Sequence, residues 1–194
     1  MTGVRIHATA EVSPGATIGE GSSIWHQAQV REGANLGPGC IIGKGVYVGS
    51  DVQIGANCKV QNYSCVYEGA TLEDGVFVGP EVVFTNDKYP RAINPDGTLK
   101  SESDWELGRT LVKHGAAVGS RSVIVTGVTI GRWALIAAGS VVTKDVPDHA
   151  LVVGTPARFT GWVCMCARLL DVALVCPHCG RAYRKVEAGL EFAG

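Results

Sequence analysis

The sequence predicts an all-β protein, a parallel β-helix built from hexapeptide repeats. Three observations carry this prediction: a large aliphatic or aromatic residue recurs every six positions, a small or β-branched residue follows each of them by four positions, and glycine makes up 26 of the 194 residues. A period of six matches neither an α-helix nor the simple alternation of a strand. It does match a short strand followed by a corner, with the large side chain pointing inward.

The six-residue period runs through two segments of the chain with one interruption between them. Three such sides would form an 18-residue triangular coil, and stacked coils would pair in parallel around an aliphatic column. Twenty repeat positions therefore predict six to seven coils. These positions are Ile6, Val12, Ile18, Ile24, Val30, Leu36, Ile42, Val48, Ile54, Val60, Val66, Leu72, Val78 and Phe84, then Val112, Val118, Ile124, Ile130, Ile136 and Val142.

Small residues and glycine mark the predicted corners. Val and Ile favour the short strands, and a glycine directly after the aliphatic position would permit the backbone angles of a corner. Cys40 and Cys58 fall on the small inward position, so we expect them to fill space in the core. Glycine follows the aliphatic position at Gly19, Gly37, Gly43, Gly49, Gly55, Gly79, Gly119 and Gly131.

The repeat breaks after Phe84 and resumes at Val112, which leaves 22 extra residues in one corner. We assign residues 86–110 to this inserted loop. Its residues 94–97 read Asn-Pro-Asp-Gly, a turn signal. Polar loops of this length are usually functional or disordered, and this one carries groups that favour a functional arm. These groups are Asp87, Lys88, Arg91 and Trp105.

The C-terminal segment, residues 163–194, contains four closely spaced cysteines after a repeat domain that we assign to residues 1–162. Paired cysteines are typical of a structural Zn²⁺ site, which leaves no open position for catalysis. The first pair and the linker are shorter than in the usual zinc ribbon. Reduced surface thiols, or His178 in place of one cysteine, are the alternatives. The predicted ligands are Cys164, Cys166, Cys176 and Cys179.

Charge and hydropathy argue against two classes of partner. The chain has 17 basic and 18 acidic residues, so it lacks the basic stripe that nucleic acid binding requires. It has no apolar stretch of the roughly 18 residues that a membrane span needs, and its N-terminus lacks a secretory signal. We therefore expect a cytoplasmic protein that binds neither nucleic acid nor membrane.

Five segments carry a resemblance to known enzymes: residues 24–26 (Ile-Trp-His), 61–62 (Gln-Asn), 84–92 (Phe-Thr-Asn-Asp-Lys-Tyr-Pro-Arg-Ala), 144–147 (Lys-Asp-Val-Pro) and 153–158 (Val-Gly-Thr-Pro-Ala-Arg). They resemble the nucleotide-linked 3-amino-sugar N-acetyltransferases, which belong to the hexapeptide-repeat acyltransferases. The resemblance implies a left-handed β-helix, a homotrimer, acetyl-CoA as co-substrate, and a UDP- or dTDP-linked amino sugar as acceptor in surface polysaccharide synthesis.

The resemblance also implies roles for individual residues. Asn86 would hold the sugar amine toward the thioester, although an Asn also suits a corner that only turns the chain. His26 would act as a general base or contact the sugar or nucleotide, with a capped corner as the alternative. Gln61 and Asn62 lie one coil before the strand pair that leads to Asn86, so we expect them to bind substrate beside it.

The remaining candidates would contact the amino sugar or coenzyme A, or act as a base. Asp87 and Arg91 would hold sugar or diphosphate oxygens, or else pair with each other and pin the loop. His114, expected near the mouth of the insert, is either a base or a solvated corner residue. For coenzyme A, the resemblance implies backbone contacts along the pantetheine and basic or hydroxyl contacts to phosphate. These residues are Ala137, Ala138, Gly139, Thr143, Lys144 and Arg158.

Three other functions compete with this one. Other hexapeptide acyltransferases, which act on serine or on lipid precursors, are the nearest alternative. A zinc lyase of the γ-carbonic-anhydrase type needs three His ligands around an open metal, and the five His of this chain do not have that family's spacing. A non-catalytic scaffold would not need the polar insert.

Overall fold

In the computed structural model, which describes residues 3–194, the repeats form a three-sided parallel β-solenoid. The first face stacks Arg5–Ile6, Ser23–Ile24, Ile41–Ile42, Lys59–Val60, Phe77–Val78, Ala117–Val118, Leu135–Ile136 and Ala150–Gly154. The second face stacks Glu11–Val12, Gln29–Val30, Tyr47–Val48, Cys65–Val66, Val83–Phe84, Val123–Ile124 and Val141–Val142. The third face stacks Thr17–Ile18, Asn35–Leu36, Gln53–Ile54, Ala70–Leu72, Thr110–Val112 and Thr129–Ile130.

The register of these strands confirms the predicted period. Val60 lies beside Ile42 of the preceding coil and beside Val78 of the following coil. The insert does not shift the register, because Leu72 still pairs with Val112 across it. The repeat residues of the inner coils are buried in one continuous core, which is how a solenoid stabilises coils that could not fold alone.

Cys40 and Cys58 fill this core, as predicted. Both are fully buried, and each thiol donates to a backbone carbonyl of the next coil, Cys40 to Gly55 at 3.0 Å and Cys58 to Glu73 at 3.1 Å. Their role is therefore structural.

The reason predicted for the corner glycines is wrong. None of the eight glycines that follow an aliphatic position has a positive φ in the described chain. The left-handed conformation falls two residues later, where Asn57 (φ 58°) and Arg121 (φ 59°) also adopt it. Glycine is needed at Gly119 because an added Cβ would lie 2.4 Å from the Ala138 amide nitrogen. The backbone of the following coil approaches too closely for a side chain.

The solenoid is longer than the six to seven coils predicted. The first face has eight parallel strands, so the chain reaches its eighth turn. Val152 of the last strand pairs with Ile136, which precedes it by 16 residues rather than 18. On the third face, Val146 likewise pairs with Ile130 at the wrong spacing for the repeat. The shortened final coil is invisible to a search for a strict period.

We name the three corners by the faces they join. The first corner leads from the first face to the second and comprises residues 7–10, 25–28, 43–46, 61–64, 79–82, 119–122 and 137–140. The second corner leads from the second face to the third and comprises residues 13–16, 31–34, 49–52, 67–69, 125–128 and 143–145, together with the insert. The third corner leads back to the first face and comprises residues 19–22, 37–40, 55–58, 73–76, 113–116, 131–134 and 147–149.

The insert is an ordered excursion from the second corner. The Gly108 amide donates to the Asn86 carbonyl at 2.9 Å and closes its base. The predicted turn is present, because the Gly97 amide donates to the Asn94 carbonyl at 2.9 Å. A 3₁₀ helix, Glu102–Asp104, follows the turn. Within the described residues, no helix has the length and apolar character needed to cross a membrane.

The tail folds back against the last coil. Ala157–Trp162 runs antiparallel to Ala150–Gly154, and Tyr183–Val186 forms a hairpin with Gly189–Phe192. The tail has a small core of its own, separate from the solenoid core. Its buried residues are Cys164, Cys176, Tyr183 and Leu190.

Candidate functional site

The base of the insert encloses a cleft of about 610 Å³, which we call the insert cleft. Asn86, Asp87 and Arg91 all line it, so the structure brings these three candidates together. Lys100 and Trp105 also line it. Lys100 was not among the predicted site residues, and nothing in the sequence separates it from an ordinary solvated lysine.

Asp87 and Arg91 do not pair with each other in the part of the chain that the structure describes. The Asp87 carboxylate accepts a hydrogen bond from the Tyr89 amide at 2.7 Å, which shapes the turn that enters the insert. The Arg91 guanidinium donates to the adjacent Pro90 carbonyl at 2.9 Å. Because a guanidinium has five N–H donors, Arg91 keeps several for an anionic ligand.

A second cleft, of about 400 Å³, lies on the other side of Trp105 and extends to Thr126. The Thr126 hydroxyl is buried and has no hydrogen-bond partner within the described chain. An unpaired buried hydroxyl costs about 1–3 kcal/mol, so this atom is a candidate contact for a bound group. The site requires Gly108, since an added Cβ there would lie 2.0 Å from the Thr126 hydroxyl oxygen. No pattern in the sequence singles out Thr126.

A separate group of candidates lies at the first corner. His26, Gln61 and Asn62 line a cavity of about 190 Å³ together with Trp25 and Lys44. The Asn62 carboxamide oxygen accepts a hydrogen bond from the Lys44 amide at 2.9 Å, so Asn62 has a structural role between coils. No pattern in the sequence singles out Lys44, whose position next to Asn62 follows only from the stacking of the coils.

In the sequence His26 has no other histidine near it, but in the structure its ring contacts a second histidine. It stacks on His7 of the preceding coil with ring centroids 3.5 Å apart. The neighbouring Trp25 ring carries the Arg5 guanidinium at 4.6 Å from its centroid. Burial, His26 and Arg5 together lower the pKa of His7 below its ordinary value.

Gln61 and Asn62 do not lie beside Asn86, and that expectation was wrong. Gln61 follows a strand of the first face, whereas Asn86 follows Val83–Phe84 of the second face. Each six-residue side turns the chain to a new corner, so residues stacked within one coil can still lie on different edges of the prism. The candidates therefore form two groups in a single chain.

His114 is also absent from the mouth of the insert. It lies at the third corner, where its amide donates to the Glu73 carboxylate at 2.8 Å. Its ring packs edge-on against Trp133, with centroids 5.2 Å apart. These contacts favour the corner interpretation over a catalytic base.

The residues expected to meet coenzyme A phosphates come together near the end of the solenoid. Thr143, Lys144 and Arg158 line a cleft of about 270 Å³, with Phe159 as an apolar wall. Arg158 reaches it from the strand Ala157–Trp162. We call this the terminal cleft.

The three residues expected to contact pantetheine lie at the first corner, away from the terminal cleft. The Ala137 amide donates to the Val152 carbonyl at 2.9 Å, and the Gly139 amide donates to the Ser120 carbonyl at 2.8 Å. These two N–H groups are therefore committed to bonds between coils. Ala138 is exposed, and its backbone is the better candidate for a ligand contact.

The four tail cysteines converge as predicted. Their sulfur atoms all lie within 4.8 Å of one another, with the closest pairs at 3.5 Å (Cys164 and Cys179) and 3.6 Å (Cys166 and Cys176). Zn–S bonds of about 2.3 Å in a tetrahedron require sulfur atoms about 3.8 Å apart. The cluster thus fits a four-thiolate zinc site, and His178 is not part of it.

The surroundings lower the pKa of the Cys164 and Cys179 thiols, whereas burial and the neighbouring thiols raise the pKa of Cys166. Burial opposes ionisation of Cys164, but hydrogen bonds from the Cys166 backbone and the Tyr183 hydroxyl lower its pKa to about 6. The Tyr183 hydroxyl donates to the Cys164 sulfur at 3.1 Å, and the Arg181 guanidinium donates to the Cys179 sulfur at 3.3 Å. Such outer contacts orient the ligands of metal sites.

Two stretches of the chain match known repeat families. Residues 33–67 match the bacterial transferase hexapeptide (six repeats), and residues 115–144 match the hexapeptide repeat of succinyl-transferase. Both matched stretches lie within the solenoid. The predicted resemblance to the hexapeptide transferases is therefore confirmed.

The chain is similar to several enzymes over part of its length. It is 51% identical over 81 residues to the dTDP-3-amino-3,6-dideoxy-alpha-D-galactopyranose 3-N-acetyltransferase of Aneurinibacillus thermoaerophilus, which is 40% of this chain and 42% of that protein. It is 35% identical over 88 residues to the serine acetyltransferase of Escherichia coli K12, which is 45% of this chain and 31% of that protein. The chain spans less than half the length of these relatives.

Solved structures share the solenoid fold. A UDP-N-acetylglucosamine acyltransferase from Bacteroides fragilis aligns with 82% of this chain and 61% of its own, with a TM-score of 0.66 at 17% identity. The GDP-perosamine N-acetyl transferase of Caulobacter crescentus, solved with CoA and GDP-perosamine, aligns with 82% of this chain and 57% of its own, with a TM-score of 0.55 at 23% identity.

Proposed function

We propose that the chain is an N-acetyltransferase that moves the acetyl group of acetyl-CoA to the 3-amino group of a UDP- or dTDP-linked amino sugar, for surface polysaccharide synthesis. The insert cleft carries this proposal: it gathers a carboxamide (Asn86), a carboxylate (Asp87) and a guanidinium (Arg91) around one opening. These groups suit an amine, sugar hydroxyls and a diphosphate, respectively. The 51% identity to a dTDP-amino-sugar N-acetyltransferase supports the choice of acceptor.

The reaction does not require a strong base from the protein. A thioester is already activated, and the departing sulfur can take up a proton from the attacking amine. What the protein must supply is a neutral amine held close to the thioester and donors for the developing oxyanion. We assign Asn86 to hold the amine, Arg91 to bind diphosphate oxygens and Asp87 to bind sugar hydroxyls.

We propose that the enzyme is a homotrimer with a site shared between subunits. From the third coil onward, the outward side chains of the first and second faces are mostly apolar, while those of the third face are mostly polar. Two apolar faces of a three-sided rod suit packing of three copies around an axis. The outward apolar side chains are Ile41, Phe77, Ala117, Leu135 and Leu151 on the first face, and Tyr47, Cys65, Val83, Val123 and Val141 on the second.

Trimer formation would also reunite the two groups of candidates. His26, Gln61 and Asn62 lie at a different corner from Asn86, so one chain does not combine them. A neighbouring subunit can present its first corner to the insert cleft. In that arrangement His26 and Gln61 contact the nucleotide or sugar, and the left-handed winding implied by the family sets the direction of approach.

For coenzyme A, we propose that the terminal cleft binds the phosphates. Lys144 and Arg158 supply positive charge, and Thr143 supplies a hydroxyl. The pantetheine would then run along the exposed corner at Ala138 and Gly139 toward the insert of a neighbouring subunit. Backbone groups can line such a path without any phosphate-binding glycine loop.

We further propose that residues 163–194 form a separate small unit around one Zn²⁺, bound by Cys164, Cys166, Cys176 and Cys179. A closed set of four thiolates has a structural role and supplies no open position for catalysis. All seven cysteines of the chain are unbridged, which supports a reducing, cytoplasmic location.

Transfer to serine is the second candidate, favoured by the 35% identity to a serine acetyltransferase. One assay separates the two: thiol release from acetyl-CoA with UDP- and dTDP-linked 3-amino sugars, with the matching 3-hydroxy sugars as controls, and with free serine. We expect release only with the amino sugars. Release with serine and none with any amino sugar would refute the proposal.

A further inference from the structure

Backbone groups at the corners of each coil form hydrogen bonds with the next coil. At the third corner, the Trp133 amide donates to the His114 carbonyl one coil earlier at 3.0 Å, and the His149 amide donates to the Arg132 carbonyl at 2.7 Å. The Arg132 amide in turn donates to the Asp148 side chain at 2.7 Å. The backbone groups at the same corner of the last coil have no further coil to bind. Unpaired edges of this kind promote association with other chains, so they are usually covered.

The tail supplies this partner. The Asp148 amide donates to the Ala188 carbonyl at 2.8 Å, and the Leu190 amide donates to the Asp148 carbonyl at 3.2 Å. The bond to the Asp148 carbonyl repeats the one that the His149 amide makes to the Arg132 carbonyl. The Ala188 carbonyl takes the place of the Asp148 carboxylate, which accepts from the equivalent Arg132 amide. The backbone approach is so close that a Cβ on Gly189 would lie 2.4 Å from the Asp148 carbonyl oxygen.

A short line of contacts joins this capped corner to the cysteine cluster. His149 is 3% exposed, and its ring packs on the Tyr183 ring with centroids 4.8 Å apart. The Tyr183 hydroxyl donates to the Cys164 sulfur and accepts a hydrogen bond from the Met165 amide at 3.0 Å. The Val163 amide, next to Cys164, donates to the His149 carbonyl at 2.8 Å.

The tail cannot hold this position through its own core. Four residues are buried there, and segments below about 40 residues usually need a metal or disulfides to fold. The strand Ala157–Trp162 leads directly into Cys164 and carries Arg158 into the terminal cleft. Whatever orders the cysteine cluster therefore also anchors the C-terminal end of that strand.

We propose that the metal-loaded cysteine cluster is the C-terminal cap of the solenoid, that it replaces a further coil at the Asp148 corner, and that it holds Arg158 in position for coenzyme A. The part concerning coenzyme A rests on the proposed function. Removal of the metal should free the tail, expose the corner, and reduce the population of chains that bind coenzyme A.

The test compares the full-length protein loaded with Zn²⁺ and the same protein after chelation. Hydrogen exchange should show loss of protection at the Asp148, Val163 and Leu190 amides, while the inner coils keep theirs. Coenzyme A affinity, measured by calorimetry, should fall about tenfold if the ordered tail is populated about a tenth of the time. Restored Zn²⁺ should reverse both effects.

Two variants sharpen the test. Tyr183→Phe keeps the ring on His149 but removes the hydrogen bond to Cys164, so we expect Zn²⁺ affinity to fall about 10- to 100-fold and the cap to recover at excess Zn²⁺. Lys185→Ala, on an exposed position of the same hairpin, is the matched control and should change neither the Zn²⁺ affinity nor the protection of the cap.

The outcomes are distinct. Equal exchange protection at the three cap amides with and without Zn²⁺ would overturn the cap itself. Loss of protection on chelation with unchanged coenzyme A affinity would overturn the link to Arg158. If the Zn²⁺-loaded protein fails to bind coenzyme A at all, the proposed function fails, while the exchange experiment still decides the cap.

Discussion

The carboxamide oxygen of Asn62 accepts a hydrogen bond from the Lys44 backbone amide, one coil earlier, at 2.9 Å. The same geometry recurs at another corner, where Asp74 accepts from the Ala56 amide at 2.7 Å. A polar residue in this position joins coils, so its presence alone does not indicate substrate binding. Asn62 combines this role with a place in the first-corner cavity.

Substitutions at Asn62 separate its two roles. Asn62→Asp keeps an oxygen acceptor for Lys44, whereas Asn62→Ala removes it. We expect Asn62→Ala to lower the free energy of unfolding by about 1 kcal/mol and Asn62→Asp to leave it nearly unchanged. Both should raise KM for the sugar if the amide N–H contacts substrate. Chemical denaturation and steady-state kinetics provide the two measurements, and an unchanged KM in both variants would leave Asn62 with its structural role alone.

Asn86→Ala should reduce kcat by about 10²-fold, because a misplaced amine loses its alignment with the thioester. The backbone bond from Gly108 to the Asn86 carbonyl survives this change, so the insert and the assembly should persist. Size-exclusion chromatography and single-turnover kinetics test both points. Asn94→Ala, in the turn of the same insert, is the control and should keep its activity. Wild-type kinetics for Asn86→Ala would make Asn86 a turn residue.

Arg158→Ala should weaken coenzyme A binding about tenfold, as expected for the loss of one charge-assisted hydrogen bond. The effect should be smaller for dephospho-CoA if Arg158 contacts the phosphate that this analogue lacks. Calorimetry with both ligands measures the difference. Lys185→Ala controls for the loss of a positive charge elsewhere. Equal affinities of the wild-type and Arg158→Ala proteins would remove Arg158 from the site.

Gly119→Ala should destabilise the solenoid by about 1–3 kcal/mol, because the new Cβ would meet the Ala138 amide at 2.4 Å. Gly3→Ala is the control, since a Cβ there has no heavy atom within 4 Å. Denaturation midpoints of the two variants give the comparison. A neutral Gly119→Ala would show that adjacent coils can separate without cost.

Stability of the cap should depend on pH through His149. Burial lowers the pKa of His149 below 6.5, against the opposing effects of the Val163 carbonyl and Asp148. Because the unfolded chain binds this proton more readily, the contribution is complete above pH 6.5 and is lost as the pH falls below that value.

Exchange protection of the cap amides, measured from about pH 8 to about pH 5, provides the test. His149→Asn should flatten the dependence, since Asn tolerates the left-handed backbone at this position (φ 63°) and does not titrate. A pH dependence that persists in His149→Asn would assign it to another group.

The sequence by itself determined the architecture. A six-residue period fixes which side chains point inward, and inward aliphatics such as Val60 and Val78 can be buried only by stacking like on like. The insert and the cysteine cluster were also visible, because each interrupts or follows the repeat with residues of a distinct chemistry. Local spacing was sufficient for these features.

The tertiary structure alone decided which candidates meet. The count of repeats places Gln61 one coil before the strands that lead to Asn86. In the structure they lie at different corners of the prism, because each short side turns the chain. The last coil, the reason for Gly119 and the contact between Asp148 and the tail likewise depend on backbone from a different coil or segment. Contacts of this kind produce no periodic pattern in the sequence, because they depend on how closely neighbouring backbones pack.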